Sequence, residues 1–280
     1  MAGTDEDAVA AGDDALYVLT AALMTPAQFP SVLGDDYPAA CAALDLTPLA
    51  DGYGLVLGQD GDGARWTAVI DDVSLVAVAI ASWDCGMEYE LSPDERTVVA
   101  ALPGWPLAVA VAAPGLPAPH DPDPALTGRE PLAPPDTTTW GPAQRRLGAD
   151  EIALQWTVWR RQLGDDFFAS ADDGEAAVQE AEVDGGRGGE KGHTDLRRVL
   201  AEAHAYVDTP PPPGRIRSSF APNDARTVRA DGPGWSMVAR TDDIAFVLLD
   251  EKPGEILPVG RGSQLPGLLE ALDKLAVRPV

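Results

Sequence analysis

Between Pro114 and Pro142 the chain carries nine prolines, at positions 114, 117, 119, 122, 124, 131, 134, 135 and 142. Proline lacks a backbone N–H and fixes φ, so a segment this dense continues neither a helix nor a sheet ladder. Regular structure must therefore form on either side of it. The sequence divides into an N-terminal half over 1–113, a Pro-rich linker or wrapping arm over 114–148, and a C-terminal half over 149–280. The 280 residues, 45% of them hydrophobic, suffice for a buried core, and the length fits one large domain or two small ones.

In the N-terminal half, Leu16, Leu19 and Leu23 recur at helical spacing behind Asp13 and Asp14, which can cap by accepting free amide hydrogens; this predicts a helix over 15–23. Thr25-Pro26 reads as a cap and first-turn proline of a short helix to about Leu33, and 38–44 as a further Ala-rich turn or two. From Tyr53 the pattern changes to short runs rich in β-branched and aromatic residues: YGLVLG, RWTAVI and VSLVAVAIA, with QDGDGA as the turn between the first two. ERTVVAAL and WPLAVAVAA extend these into an antiparallel meander of four or five strands.

The C-terminal half opens with a helix capped near Asp150, whose Ile152, Trp156, Trp159, Leu163 and Phe167 share one face. The acidic, Gly-rich stretch 171–192 has too little apolar surface to offset the entropy of ordering it, and is expected to be a mobile loop. A helix over Asp195–Val207 is stopped by Pro210–Pro213. RIRSSFAP, RTVRA, WSMVAR, IAFVLLD and EILPVG follow as strands, with Lys252-Pro253-Gly254 as the last hairpin turn. Leu265, Leu268, Leu269, Leu272 and Leu275 then mark a closing helix over 264–276. The expected fold class is α+β, with two small, mainly antiparallel meanders flanked by helices.

The two halves share a pattern. Trp66, Thr67, Val69, Asp71, Asp72, Val73 and Leu75 match Trp235, Ser236, Val238, Asp242, Asp243, Ile244 and Phe246, with Arg240-Thr241 inserted in the second copy. A pseudo-symmetric duplication accounts for this, and so does convergence of two unrelated hairpins. Brought together across a pseudo-twofold axis, the four carboxylates of Asp71, Asp72, Asp242 and Asp243 could bind a divalent metal ion or divide acid and base roles. Within each half an Asp-Asp pair equally fits a turn, because Asp hydrogen-bonds its own backbone there.

From Pro213 to Leu275, PGRIRSSF, then VLLDEKPGEILPV, then a leucine-rich helix resemble the closing part of the EspG-type ESX (type VII) secretion-associated chaperones of actinobacteria. That family closes with a Gly-led strand, an Asp-x-x-x-Gly hairpin and a last helix; Asp250 and Gly254 stand at the hairpin positions here. The resemblance implies two pseudo-symmetric α/β halves, a cytoplasmic location, and binding of the tips of secreted helical partner pairs without chemistry. Arg outnumbers Lys 17 to 3, which resembles the coding bias of GC-rich actinobacteria.

Trp156, Trp159, Phe167 and Phe168, with Arg160 and Arg161 among them, are the candidate partner-binding cluster, since aromatics and Arg are enriched at protein interfaces; core packing is the alternative. The three histidines offer little. His120 lies in the Pro-rich arm beside Asp121 and Asp123, His193 at the end of the Gly-rich loop, and His204 at the edge of an apolar helix stripe. No nucleophile elbow, phosphate loop, His-Glu-x-x-His helix or Cys-x-x-Cys pair occurs, and Cys41 and Cys85 read as reduced thiols. No catalytic residue and no cofactor are expected.

The net charge of −25 repels phosphate-rich partners, so nucleic acid is not an expected ligand. The N-terminus carries acid where a signal peptide needs base, and the apolar runs are shorter than the roughly 20 residues of a membrane helix. The reading is a non-catalytic, cytoplasmic protein-binding protein of the secretion-chaperone kind. Two alternatives stand beside it: an acidic immunity or inhibitor protein for a basic toxin or nuclease, and an enzyme with an unfamiliar carboxylate site.

Overall fold

The computed structural model describes residues 16–27, 29, 36–72, 89–90, 94–105, 114–133, 136, 138–163 and 189–276. The chain forms two units: Met1–Gly34 with Ala39–Pro135, and Asp35–Pro38 with Asp136–Val280. The protein is α+β, with an antiparallel sheet in each unit.

The first unit contains β1 (Tyr17–Met24), β2 (Tyr53–Gln59), β3 (Arg65–Ile70), β4 (Tyr89–Glu90), β5 (Val98–Pro103), most of helix α1 (Tyr37–Ala43) and helix α2 (Pro124–Thr127). Among the described residues its sheet runs β4-β1-β2-β3-β5. The expected meander is thus modified, because β4 pairs with the outer edge of β1 through Tyr17↔Glu90 and Val18↔Tyr89.

The segment 15–23, expected as a helix, is instead strand β1. Its leucines have helical spacing, but every residue from Ala21 to Met24 pairs with β2. A register shift between Val18 and Thr20 lets the consecutive Val18 and Leu19 both be buried, on different core clusters. A long-range ladder with cover on both faces outweighs a weak local helix preference. Pro26 and Ala27 lie in a bend, and most of the helix expected from Thr25 falls outside the described residues, as do VSLVAVAIA and all of WPLAVAVAA after Trp105. Trp105 is not in a strand; it is buried, and its indole N–H donates to the Gly58 carbonyl at 3.1 Å.

The Pro-rich stretch up to Pro135 belongs to the first unit. Its few non-proline residues supply the contacts that proline cannot make. The His120 N–H donates to Gly63 O and the Arg65 N–H to His120 O, both at 2.9 Å, while the Leu132 N–H reaches Pro103 O at 2.8 Å. Gly63 has φ +89°, and a Cβ there would stand 2.8 Å from Ala118 O, so the close approach of arm and turn requires glycine.

The second unit contains α3 (Pro142–Leu154), α4 (Trp156–Gln162), α5 (Gly189–Asp208), β6 (Ile216–Phe220), β7 (Arg226–Gly232), β8 (Trp235–Arg240), β9 (Ala245–Leu249), β10 (Lys252–Val259) and α6 (Leu265–Leu275). The strands form a sequential meander, β10-β9-β8-β7-β6. Period-two alternation divides its side chains between two cores. Trp235, Met237, Ala239, Val247 and Leu249 pack with α5 and α6, whereas Val238, Phe246 and Leu248 pack with Ala149, Ile152 and Trp156 of α3 and α4. The sheet is therefore covered by helices on both faces.

Three boundaries differ from expectation. The helix expected from Asp150 starts at Pro142, a first-turn proline, and breaks at Gln155. Helix α5 starts at Gly189, so the last residues of the supposed loop 171–192 are helical; residues 171–188 lie outside the described residues. The hairpin between β9 and β10 turns at Asp250-Glu251, and Lys252-Pro253-Gly254 lies within β10. A register shift between Lys252 and Ile256, with Gly254 at φ +74°, makes a bulge there. Pro253 is tolerated because β10 is an edge strand.

Candidate functional site

The densest concentration of functional groups is an ionic network inside the second unit. The alternation that turns Val228 and Ala230 of β7 toward α5 and α6 turns Arg229 and Asp231 to the opposite face, joined by Arg217 of β6 and Ser236 of β8. Helix α3 inserts Arg145 and Arg146 there, and the segment Asp35–Pro38 adds Asp36.

Asp36 and Asp231 are fully buried, and Arg145 and Arg146 are each 1% exposed. Arg145 donates from Nε to Asp250 Oδ1 at 2.7 Å and from Nη1 to Ser236 Oγ at 2.5 Å. Arg146 Nη1 lies 2.5 Å from Asp231 Oδ2, and its Nη2 lies 3.3 Å from Asp36 Oδ2. Arg217 Nη2 donates to Asp231 Oδ2 at 3.0 Å, and the Ser236 hydroxyl donates to Asp231 Oδ1 at 2.6 Å. Arg229 pairs with Asp150, and Arg215 with Asp36.

Burial pushes the Asp231 carboxyl up, but Arg146, Arg217, Arg229 and the Ser236 hydroxyl together hold it well below the usual carboxylate range. Burial pushes the Arg229 guanidinium down, with Asp231 opposing, yet arginine stays protonated in proteins. Held below the usual range, the Asp231 carboxyl stays ionised at neutral pH among its guanidinium partners. The network's consequence is mechanical: it fixes α3 and the Asp35–Pro38 segment on the sheet.

The partner-binding candidates separate into inner and outer groups. Trp156 is buried, packs edge-on to Phe246 with centroids 5.2 Å apart, and donates its indole N–H to Asp243 Oδ2 at 3.2 Å. Trp159 is half-buried against the same core. Arg160 Nε is 2.9 Å from both carboxylate oxygens of Asp243. Arg161 is exposed, and Phe167 and Phe168 lie outside the described residues. Beside Arg161, two residues that sequence reasoning passed over stand outward: Leu154 at 86% and Val158 at 47% exposure.

The Asp pairs have separate surroundings. Asp242 and Asp243 sit in the turn between β8 and β9, where Asp242 pairs with Arg240 at 2.7 Å and Asp243 with Arg160. In the first unit Asp71 follows β3 and donates its N–H to Thr97 O at 3.1 Å, with Asp72 next along the chain. Among the described residues no group of three or more His, Cys, Asp or Glu is arranged to hold a metal ion.

His120 is exposed and bound to the first sheet through its backbone. His204 is exposed as well, rather than half-buried: it lines a groove of about 520 Å³ between α5 and α6, with Val207, Asp208, Gly267 and Ala271. Cys41 is a buried cysteine in no disulfide. Among the described residues no helix is long and apolar enough to cross a membrane. Comparison of the chain with protein-family models, with curated proteins and with solved structures finds no match in any of the three.

Proposed function

We propose that this chain is a non-catalytic protein-binding protein, and that it captures a helical segment of a partner protein in the manner of a secretion-associated chaperone. One observation carries the reading: the outer, mostly polar side of α3 and α4 carries two exposed apolar residues. The inner side, Ala149, Ile152 and Trp156, is spent on the sheet, as an amphipathic surface helix requires. The outer side keeps Leu154 and Val158 in water at 86% and 47% exposure, flanking the break at Gln155, with Arg161 nearby in sequence. Exposed apolar side chains on helices held against a sheet offer a surface on which the apolar face of a partner helix can dock.

The net charge of −25, which draws a basic partner, favours a second reading, an immunity or inhibitor protein that caps a basic toxin or nuclease. The two separate in a pull-down of the tagged chain from its native cytoplasm at low and high salt, with mass spectrometry of what co-elutes. A stoichiometric helical partner retained at high salt supports the chaperone reading; a basic partner released by salt supports the inhibitor. Absence of any stoichiometric protein defeats both and returns attention to a carboxylate site.

A further inference from the structure

We propose that β6 is the seam of a homodimer, in which two copies join their second sheets edge to edge, antiparallel, about a two-fold axis at Ser218. The second sheet treats its two edges differently. Edge strand β10 carries Pro253, Pro258 and a bulge at Gly254, devices that prevent an incoming strand from pairing. Edge strand β6, IRSSF, has none of them and pairs with β7 in unbroken register.

The register states which groups the free side offers. The Asp231 N–H donates to Arg215 O at 2.8 Å and the Ala221 N–H to Ala225 O at 2.9 Å, so residues 215, 217, 219 and 221 direct their backbone groups toward β7. Ile216, Ser218 and Phe220 therefore turn theirs away from it. Three alternate residues with outward amides and carbonyls form a template for strand addition.

The occupant follows from symmetry and charge. A two-fold at Ser218 sets Ser218 against its own copy and Ile216 against the second copy's Phe220, giving about six interchain hydrogen bonds, two for each of the three facing pairs. Phe220, 91% exposed in one copy, would then stand opposite an apolar residue. Beside Ser218 stand Arg226 of β7 and Asp273 of α6, paired 3.4 Å apart with side chains 14% and 19% exposed, and Arg226 lies 4.2 Å over the Phe220 ring. A pair neutralised within each copy sets no like charges against each other at the axis, so the strand edges can meet there. The −25 charge of each copy opposes association over longer range, so salt tightens this dimer.

The test is sedimentation equilibrium of the full chain, from roughly 1 μM to roughly 1 mM, where small interfaces associate. Measured at low and high salt, the mass should rise from 29.3 kDa toward twice that value with concentration, and at lower concentration in high salt. Phe220→Glu should weaken association at least tenfold with an unchanged far-ultraviolet circular dichroism spectrum, because the ring lies outside the core. Ser218→Pro, which removes an outward N–H and leaves the β7 ladder intact, should do the same, and Leu154→Glu on the α3–α4 surface should not. A mass of 29.3 kDa under all conditions overturns the proposal, as does wild-type association in both β6 variants. Capture of another protein's extended segment by a β6 edge that remains monomeric overturns the second-copy occupant.

Discussion

Replacing Asp231 by Asn removes the charge and keeps the shape. In the native protein this carboxylate is fully buried and contacts Arg146 at 2.5 Å, Arg217 at 3.0 Å and the Ser236 hydroxyl at 2.6 Å. The amide leaves buried guanidinium charge without its nearest anion, and breaking a buried pair on one side costs about 3–5 kcal/mol. A domain has only about 5–15 kcal/mol in total, so D231N should fold but lose a large part of its stability. With a urea m-value of about 2 kcal/mol/M, a loss of about 4 kcal/mol moves the midpoint down by about 2 M. Trp235 and Trp156 report the second unit's unfolding by fluorescence, being buried on the sheet's two faces. The pH dependence supplies a signed check. Because the folded carboxyl is held below its unfolded value of about 3.9, its contribution is complete above that pH and is lost as pH falls toward the folded value. Wild type should therefore lose stability on acidification below about pH 4 more steeply than D231N. A D231N midpoint within about 0.5 M of wild type, where the arithmetic above requires about 2 M, would refute the claim that this network anchors the second unit.

Other substitutions probe the surroundings. Arg160→Ala breaks a pair whose side chains are 31% and 23% exposed, so urea unfolding should register at most about 1 kcal/mol, far less than for D231N. Gly232→Ala places a Cβ against the indole of the fully buried Trp235, and overpacking should cost about 1–3 kcal/mol with a shifted tryptophan emission. Leu154→Glu combined with Val158→Glu should leave the unfolding free energy within about 0.5 kcal/mol of wild type, since neither side chain belongs to the core cluster, while capture of the partner falls.

Most strands of the second unit were legible because alternation and leucine spacing there agree with the tertiary contacts: WSMVAR, IAFVLLD and the closing helix fall where their patterns place them. Strand β1 was not, because Leu16, Leu19 and Leu23 carry a helical period that only the distant β2 ladder overrides. The ionic network escaped notice for a related reason. Arg229 and Asp231 alternate with Val228 and Ala230, which in a single sequence reads as a solvent-facing side; α3 and Asp36 arrive from elsewhere to bury it. The Arg145-Arg146 pair was the available signal, since adjacent arginines ahead of an apolar helix face invite a search for carboxylates. For the aromatic cluster the core reading holds at Trp156 and Trp159, with Arg160 paired at the core's border, while the outward Leu154 and Val158 carry no periodic signal that would single them out. Trp66 and Trp235 share a sequence pattern but differ in setting: Trp66 is half-buried and donates to Asp60, Trp235 is fully buried and donates to Glu202.

The proposal that this chain works by recognition is tested most directly by titrating the protein captured at stoichiometric level against wild type and the Leu154→Glu, Val158→Glu double variant. A loss of at least tenfold in affinity, with circular dichroism and unfolding midpoint unchanged, is the expected result. Equal affinity for the two proteins would contradict the assignment of the outer face of α3 and α4 as the binding surface.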